Sequence, residues 1–202
     1  MAYASWVEPN KTSGSGNDTV SWTGQVHTGR NSRTTTATFS ASGVESKTLT
    51  IIQAGKTEFV DIADTSTIGQ NGGSVTITGT SNSSKLTFSL TGTNGVHLVL
   101  PASYLAASIS TSNGSAITGD PGASQEYTFS ITFTGIASNT TISALTSQLT
   151  VTTNNGTTDT CAITQAAGEP YLTISPTTIN LTAAGVADDS VTVSSNTSWS
   201  VS

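Results

Sequence analysis

Ile51-Ile52-Gln53-Ala54-Gly55 returns as Ile163-Thr164-Gln165-Ala166-Ala167-Gly168, and each copy leads into the same kind of segment. Phe59-Val60-Asp61-Ile62 follows the first, and Tyr171-Leu172-Thr173-Ile174 follows the second. Gln53 and Gln165 stand 112 residues apart, the size of one all-β module. The repeat therefore places a module boundary after each Gln-Ala-Gly ending and divides the chain into residues 1–55, 56–169 and 170–202.

Working outward, Ser, Thr and Gly dominate, and isolated Val, Ile and Leu alternate with threonines, as half-buried strands require. Abundant β-branched residues argue against disorder. In residues 1–55 the pattern predicts strands over about 19–26, 34–41 and 46–53, with Ser42-Gly43 turning between the last two. Three strands leave an apolar face open to water, so this stretch reads as part of a sandwich.

Residues 56–169 read as a whole module of seven strands near 58–62, 74–80, 85–91, 95–100, 125–134, 145–153 and 159–165, with a long insertion over 101–122. Residues 170–202 begin a third unit, with strands near 171–175, 180–183, 190–195 and 199–202. The expected class is all-β: tandem immunoglobulin-like sandwiches with incomplete half-domains at both termini.

Only 9% of residues are charged, the formal charge is −6, and there are six Lys and Arg. That leaves no basic footprint for nucleic acid. No apolar run approaches the roughly 18 residues of a membrane span. Met1-Ala2-Tyr3-Ala4-Ser5-Trp6 lacks the basic start and apolar stretch of a signal peptide, so the expectation is synthesis without export. The single cysteine, Cys161, cannot form an internal disulfide and sits in core-facing phase.

Chemistry-bearing constellations are sparse. His27 and His97 lack an Asp, Glu or Cys at ligand or triad spacing, and no Gly-x-Ser-x-Gly motif accompanies them. Asp61, Asp64, Asp120 and Asp188-Asp189 fall short of the dense acidic loop that calcium needs. The expectation is no enzyme, no cofactor and no metal. Trp6, Trp22, Trp199 and Tyr3 carry aromatic faces that suit either glycan stacking or a buried core or interface. Arg30 and Arg33, two of very few cations, suit a carboxylate across an interface or a solvated loop.

Tyr171-Leu172-Thr173-Ile174-Ser175-Pro176, Ala184-Gly185 and the run from Val191 through Ser195-Asn196-Thr197-Ser198-Trp199 to Val201 together make residues 170–202 resemble the first half of a BACON domain. Residues 1–55 resemble the second half of the same domain, through Trp6, Ser13-Gly14-Ser15-Gly16-Asn17, Asn31-Ser32-Arg33 and Gln53-Ala54-Gly55. The middle module follows the pattern loosely: Ser81-Asn82-Ser83-Ser84 matches Ser195-Asn196-Thr197-Ser198, but Lys85 stands where Trp199 falls.

BACON domains are immunoglobulin-like modules of Bacteroidetes proteins and of the crAss-like bacteriophages that infect those bacteria. The resemblance, with the missing export signal, implies a structural virion protein made in the host cytoplasm. Its expected role is an auxiliary or decoration protein on the capsid surface, with the major capsid protein and other copies of itself as partners. Head-fibre or tail components are neighbouring expectations, and a carbohydrate-binding or adhesin module that binds host glycans or mucin is the reading from a different class.

The first 55 and last 33 residues together make 88, a normal size for one sandwich. Each supplies what the other lacks, so the two ends are expected to complete one composite domain by strand exchange. Sandwiches with an odd number of strands tend to send their termini out at opposite ends. That favours completion between neighbouring subunits over completion within a chain, with a truncated third domain or completion by another protein as further alternatives.

Overall fold

A computed structural model describes residues 3–185 and 190–202. The described residues form β-strands throughout, with one 3-10 turn at Pro121–Ala123. In chain order the strands are β1 (Val7–Pro9), β2 (Trp22–Gly24), β3 (Arg33–Phe39), β4 (Lys47–Gln53), β5 (Val60–Ile62), β6 (Thr65–Ile68), β7 (Gly73–Ser81) and β8 (Leu86–Asn94). They continue with β9 (Ser103–Ala106), β10 (Ile109–Ser112), β11 (Tyr127–Ile136), β12 (Leu145–Thr153), β13 (Thr158–Gln165), β14 (Leu172–Ser175) and β15 (Thr192–Ser195).

The middle module carries two sheets, ordered β10-β9-β11-β7-β5 and β6-β13-β12-β8. Their facing sides enclose one core. On β11 the alternation is complete: Tyr127, Phe129, Ile131 and Phe133 are buried while Thr128, Thr132 and Thr134 face water. On β12 and β13 the inward set is Leu149, Val151, Cys161 and Ile163. Phe88 packs against Tyr104 at 4.7 Å and edge-on to Phe129 at 5.9 Å between ring centroids. After Phe133 the register to β7 shifts, and Gly135 stands at φ 68°, a bulge that glycine accommodates without strain.

The middle module holds nine strands rather than the expected seven. β9 and β10 lie inside the stretch read as an insertion. Their two-residue turn is Ala107-Ser108, both at positive φ, and lacks the Asn-Gly or Asp-Gly pair that marks such hairpins. β6, Thr-Ser-Thr-Ile, holds one apolar residue and pairs parallel to β13, so alternation gives little sign of it. The strand expected over residues 95–100 is not formed. The chain there buries Val96 and closes a tight turn from the Leu98 N–H to the Val96 carbonyl, 2.7 Å.

The terminal segments are thin. β1 pairs with β2, β3 with β4, and β14 with β15, each as an isolated two-stranded sheet. Of the buried apolar residues only Val7 and Ala37 lie before residue 56, and none of those described lies after residue 169. The strands expected at 180–183 and 199–202 are not formed. A strand is held by its neighbour's ladder, and no second sheet stands beside the described residues of this segment to supply one. The run expected over 19–26 shortens to β2 for the same reason: one of its edges is bare.

Burial holds the phenols of Tyr104 and Tyr127 above the usual tyrosine range. The folded chain thus keeps protons that the unfolded chain releases near pH 10. Their contribution to stability is fully present below about pH 10 and is lost as pH rises beyond it. Urea midpoints should therefore fall more steeply above about pH 10, with Tyr127→Phe flattening that alkaline slope. An unchanged slope in the variant would refute this assignment.

Candidate interaction surface

Asn82 organises the junction between the N-terminal segment and the middle module. Buried completely, it accepts from the Phe59 N–H (3.0 Å) and donates to the carbonyls of Thr28, Lys56 and Thr57 (3.2–3.3 Å). Arg30 reaches the Asn82 carbonyl (2.7 Å) and Asp120 (2.5 Å), and the Asp120 carboxylate raises the Arg30 pKa above its ordinary value. The Arg30 and Asn31 N–H groups donate to Gly122 and Ala123, extending the docking along the 3-10 turn. Beneath it Glu58, also buried, accepts from the Ser83 hydroxyl and the Asn155 N–H. Nothing in the sequence marks Glu58 for this role. For Asn82 a sign existed, in the match of Ser81-Asn82-Ser83 to Ser195-Asn196-Thr197.

The same junction is built a second time, 112 residues on. Lys56 N–H donates to Gly29, and Gly168 N–H donates to Thr141. Gln53 Nε2 donates to the Gln25 carbonyl (2.9 Å), and Gln165 Nε2 to the Ala137 carbonyl (2.8 Å). Asn196 repeats Asn82, accepting from Tyr171 N–H (3.0 Å) and donating to the carbonyls of Thr140 and Glu169. A Cβ at Gly55 would collide with the Arg30 carbonyl oxygen and one at Gly168 with that of Asn139, so each junction has a close approach that needs glycine, one place further from the glutamine in the second. The strand ladders repeat as well: Arg33 lies opposite Gln53 as Leu145 lies opposite Gln165. Leu172 lies opposite Ser195 as Val60 lies opposite Ser81.

These equivalences reveal where the terminal segments differ from the middle one. Val60 and Ile62 are 8% and 5% exposed, whereas their counterparts Leu172 and Ile174 are 58% and 49% exposed. Cys161 and Val151 are fully buried, whereas Leu49 and Phe39 are 38% and 45% exposed. Thirteen of the seventeen exposed large apolar side chains among the described residues lie in the terminal segments. Both faces are apolar and uncovered.

An open cavity of about 500 Å³ lies on the N-terminal face, lined by Tyr3, Val20, Trp22, Ala37 and Phe39 among others. Trp22 stacks edge-on with Tyr3 at 5.3 Å, and Arg33 lies over Trp6 at 4.5 Å while bonding Gln53 and the Gln25 carbonyl. Three of the four candidate aromatics therefore pack within this segment, and Arg30 and Arg33 fasten it to the middle module and to itself. Trp199 lies apart from them and is 52% exposed.

His27 contacts the Asn31 carbonyl at 2.6 Å, and His97 lines a shallow groove beside Val96. Among the described residues no three His, Cys, Asp or Glu side chains are grouped to hold a metal ion; Asp188-Asp189 lie outside those residues. No helix among the described residues is long and apolar enough to cross a membrane. Compared with protein-family models and with curated proteins, the chain matches no family model and none of those proteins.

Proposed function

We propose that this chain is a structural, non-enzymatic protein of immunoglobulin-like modules that assembles with copies of itself. Following the BACON resemblance, its setting is the capsid surface of a bacteriophage, as an auxiliary or decoration protein beside the major capsid protein. The observation that carries the reading is the exposure of core-equivalent positions at both ends: side chains buried in the middle module stand bare in residues 1–55 and 170–202. An apolar face left open on a repeated module is a site for assembly rather than for catalysis. Glycan binding is the weaker reading, because Tyr3, Trp6 and Trp22 are engaged in contacts within their own segment.

Light scattering of the full chain across concentrations tests the self-assembly. Mass should rise with concentration, and the variant Leu172→Asp/Ile174→Asp should remain a monomer, since both side chains are exposed in the single chain. A constant monomeric mass in the unaltered chain would reject it. Immunogold labelling of purified particles tests the setting separately, and shells without label would reject the capsid role.

A further inference from the structure

In the middle module, β7 and β5 fill the edge beside β11, and β6 fills the edge beside β13. The N-terminal segment carries the counterparts of β11 and β13, which are β2 and β4, with those two edges bare. The C-terminal segment carries the counterparts of β7 and β5, which are β15 and β14. What covers such faces is therefore visible in the same chain: the other half of the fold.

Completion within one chain is opposed by distance. The N-terminal segment is bonded to Asn82, Gly122 and Ala123, at the Ser81 end of β7. The C-terminal segment is bonded to Thr140 through Asn196, beside the Asn139 N–H that donates to Gln70 at the Gly73 end. Eight residue steps of β7 at about 3.3 Å each separate those ends by about 26 Å. Each segment is also bonded to the middle module through its own copy of the Asn82-type junction.

We infer that residues 170–202 of one copy seat on residues 1–55 of a second, β15 pairing antiparallel with the bare edge of β2 in the register that β7 holds to β11. This rests on the self-assembly reading and adds its partner segment, polarity and register. Allowing for the β11 bulge, Trp22 and Val20 take the places of Phe133 and Ile131. Val191 then meets Val20, and Leu172 and Ile174 enter the 500 Å³ cavity as Val60 and Ile62 enter the middle core. Thr76 and Thr132, which touch across β7 and β11 at 2.9 Å, correspond to Ser190 and Ser21. The contact is heterologous, so it propagates head to tail or closes into a ring.

The register is tested with the full chain carrying Ser21→Cys and Ser190→Cys under oxidised glutathione. Directly opposed strand residues come within disulfide reach, and both serines stand outside the core. A non-reducing gel should show a ladder of multimers that collapses on reduction, while Thr23→Cys with Ser190→Cys, two residues out of register, should yield at least tenfold less. Assembly by light scattering with no ladder, or with equal yield from both pairs, would overturn this register and leave the self-assembly reading standing. Disulfide confined to the monomer band would overturn the second copy as the occupant. A chain that stays monomeric and unlinked would overturn both.

Discussion

Asn82→Ala should destabilise the folded chain by about 3–4 kcal/mol, the sum of several buried polar groups left without a partner. The side chain, itself fully buried, satisfies the Phe59 N–H and the carbonyls of Thr28, Lys56 and Thr57, and alanine removes the partner of all four. Two of these lie on the connector at Lys56 and Thr57 and one on the N-terminal segment. The loss should therefore appear twice, as a lower urea midpoint and as early proteolysis between residues 28 and 57. Arg30 cannot substitute, because its own bond is to the Asn82 backbone carbonyl, which alanine keeps. Asn196→Ala removes the equivalent contacts at the other end, where Tyr171 and its surroundings are exposed and water can replace them. Its cost in the monomer should stay near 1 kcal/mol. Equal costs for the two asparagines would refute the account of Asn82 as a buried junction residue.

The contrast shows what the sequence makes legible. The repeat ending in Gln-Ala-Gly marks both junctions, and the hydrogen bonds of Gln53 and Gln165 recur 112 residues apart because the glutamine and the length of the connector after it recur together. Alternation located β11, β12 and β13 well, because their inward residues are apolar and their outward ones threonine. It missed β9 and β10, whose turn uses Ala107 and Ser108, and β6, whose stability comes from lying beside β13. It also overstated the terminal strands: residues 180–183 and 199–202 carry the alternation of strands without the neighbour that would form them. Glu58 and Asp120 were invisible as junction residues, since a lone carboxylate in sequence says nothing about the N–H groups or the guanidinium that will meet it.

One position, occupied twice, gives the sharpest readout of whether the open faces close. Cys161 is fully buried on β13, and burial together with nearby Asp159 and Asp64 pushes its thiol pKa up, so little reactive thiolate forms. Leu49 holds the same place on β4 and is 38% exposed. A thiol reagent should thus leave Cys161 untouched until the middle module unfolds. In the variant Leu49→Cys the new thiol should react at once in dilute solution. The substitution suits the site, because the middle module already packs a cysteine there. As concentration rises and residues 170–202 of another copy cover β3 and β4, labelling of Leu49→Cys should slow as the uncovered fraction shrinks, about tenfold where the chain stands at a hundred times its dissociation constant, because each copy supplies one donor for one acceptor. Adding Leu172→Asp should restore fast labelling at every concentration, because the aspartate would bring an unpaired carboxylate into a core position. Labelling that stays fast in the assembled protein would mean that copies associate through some other surface and that the apolar faces of β4 and β14 remain in water.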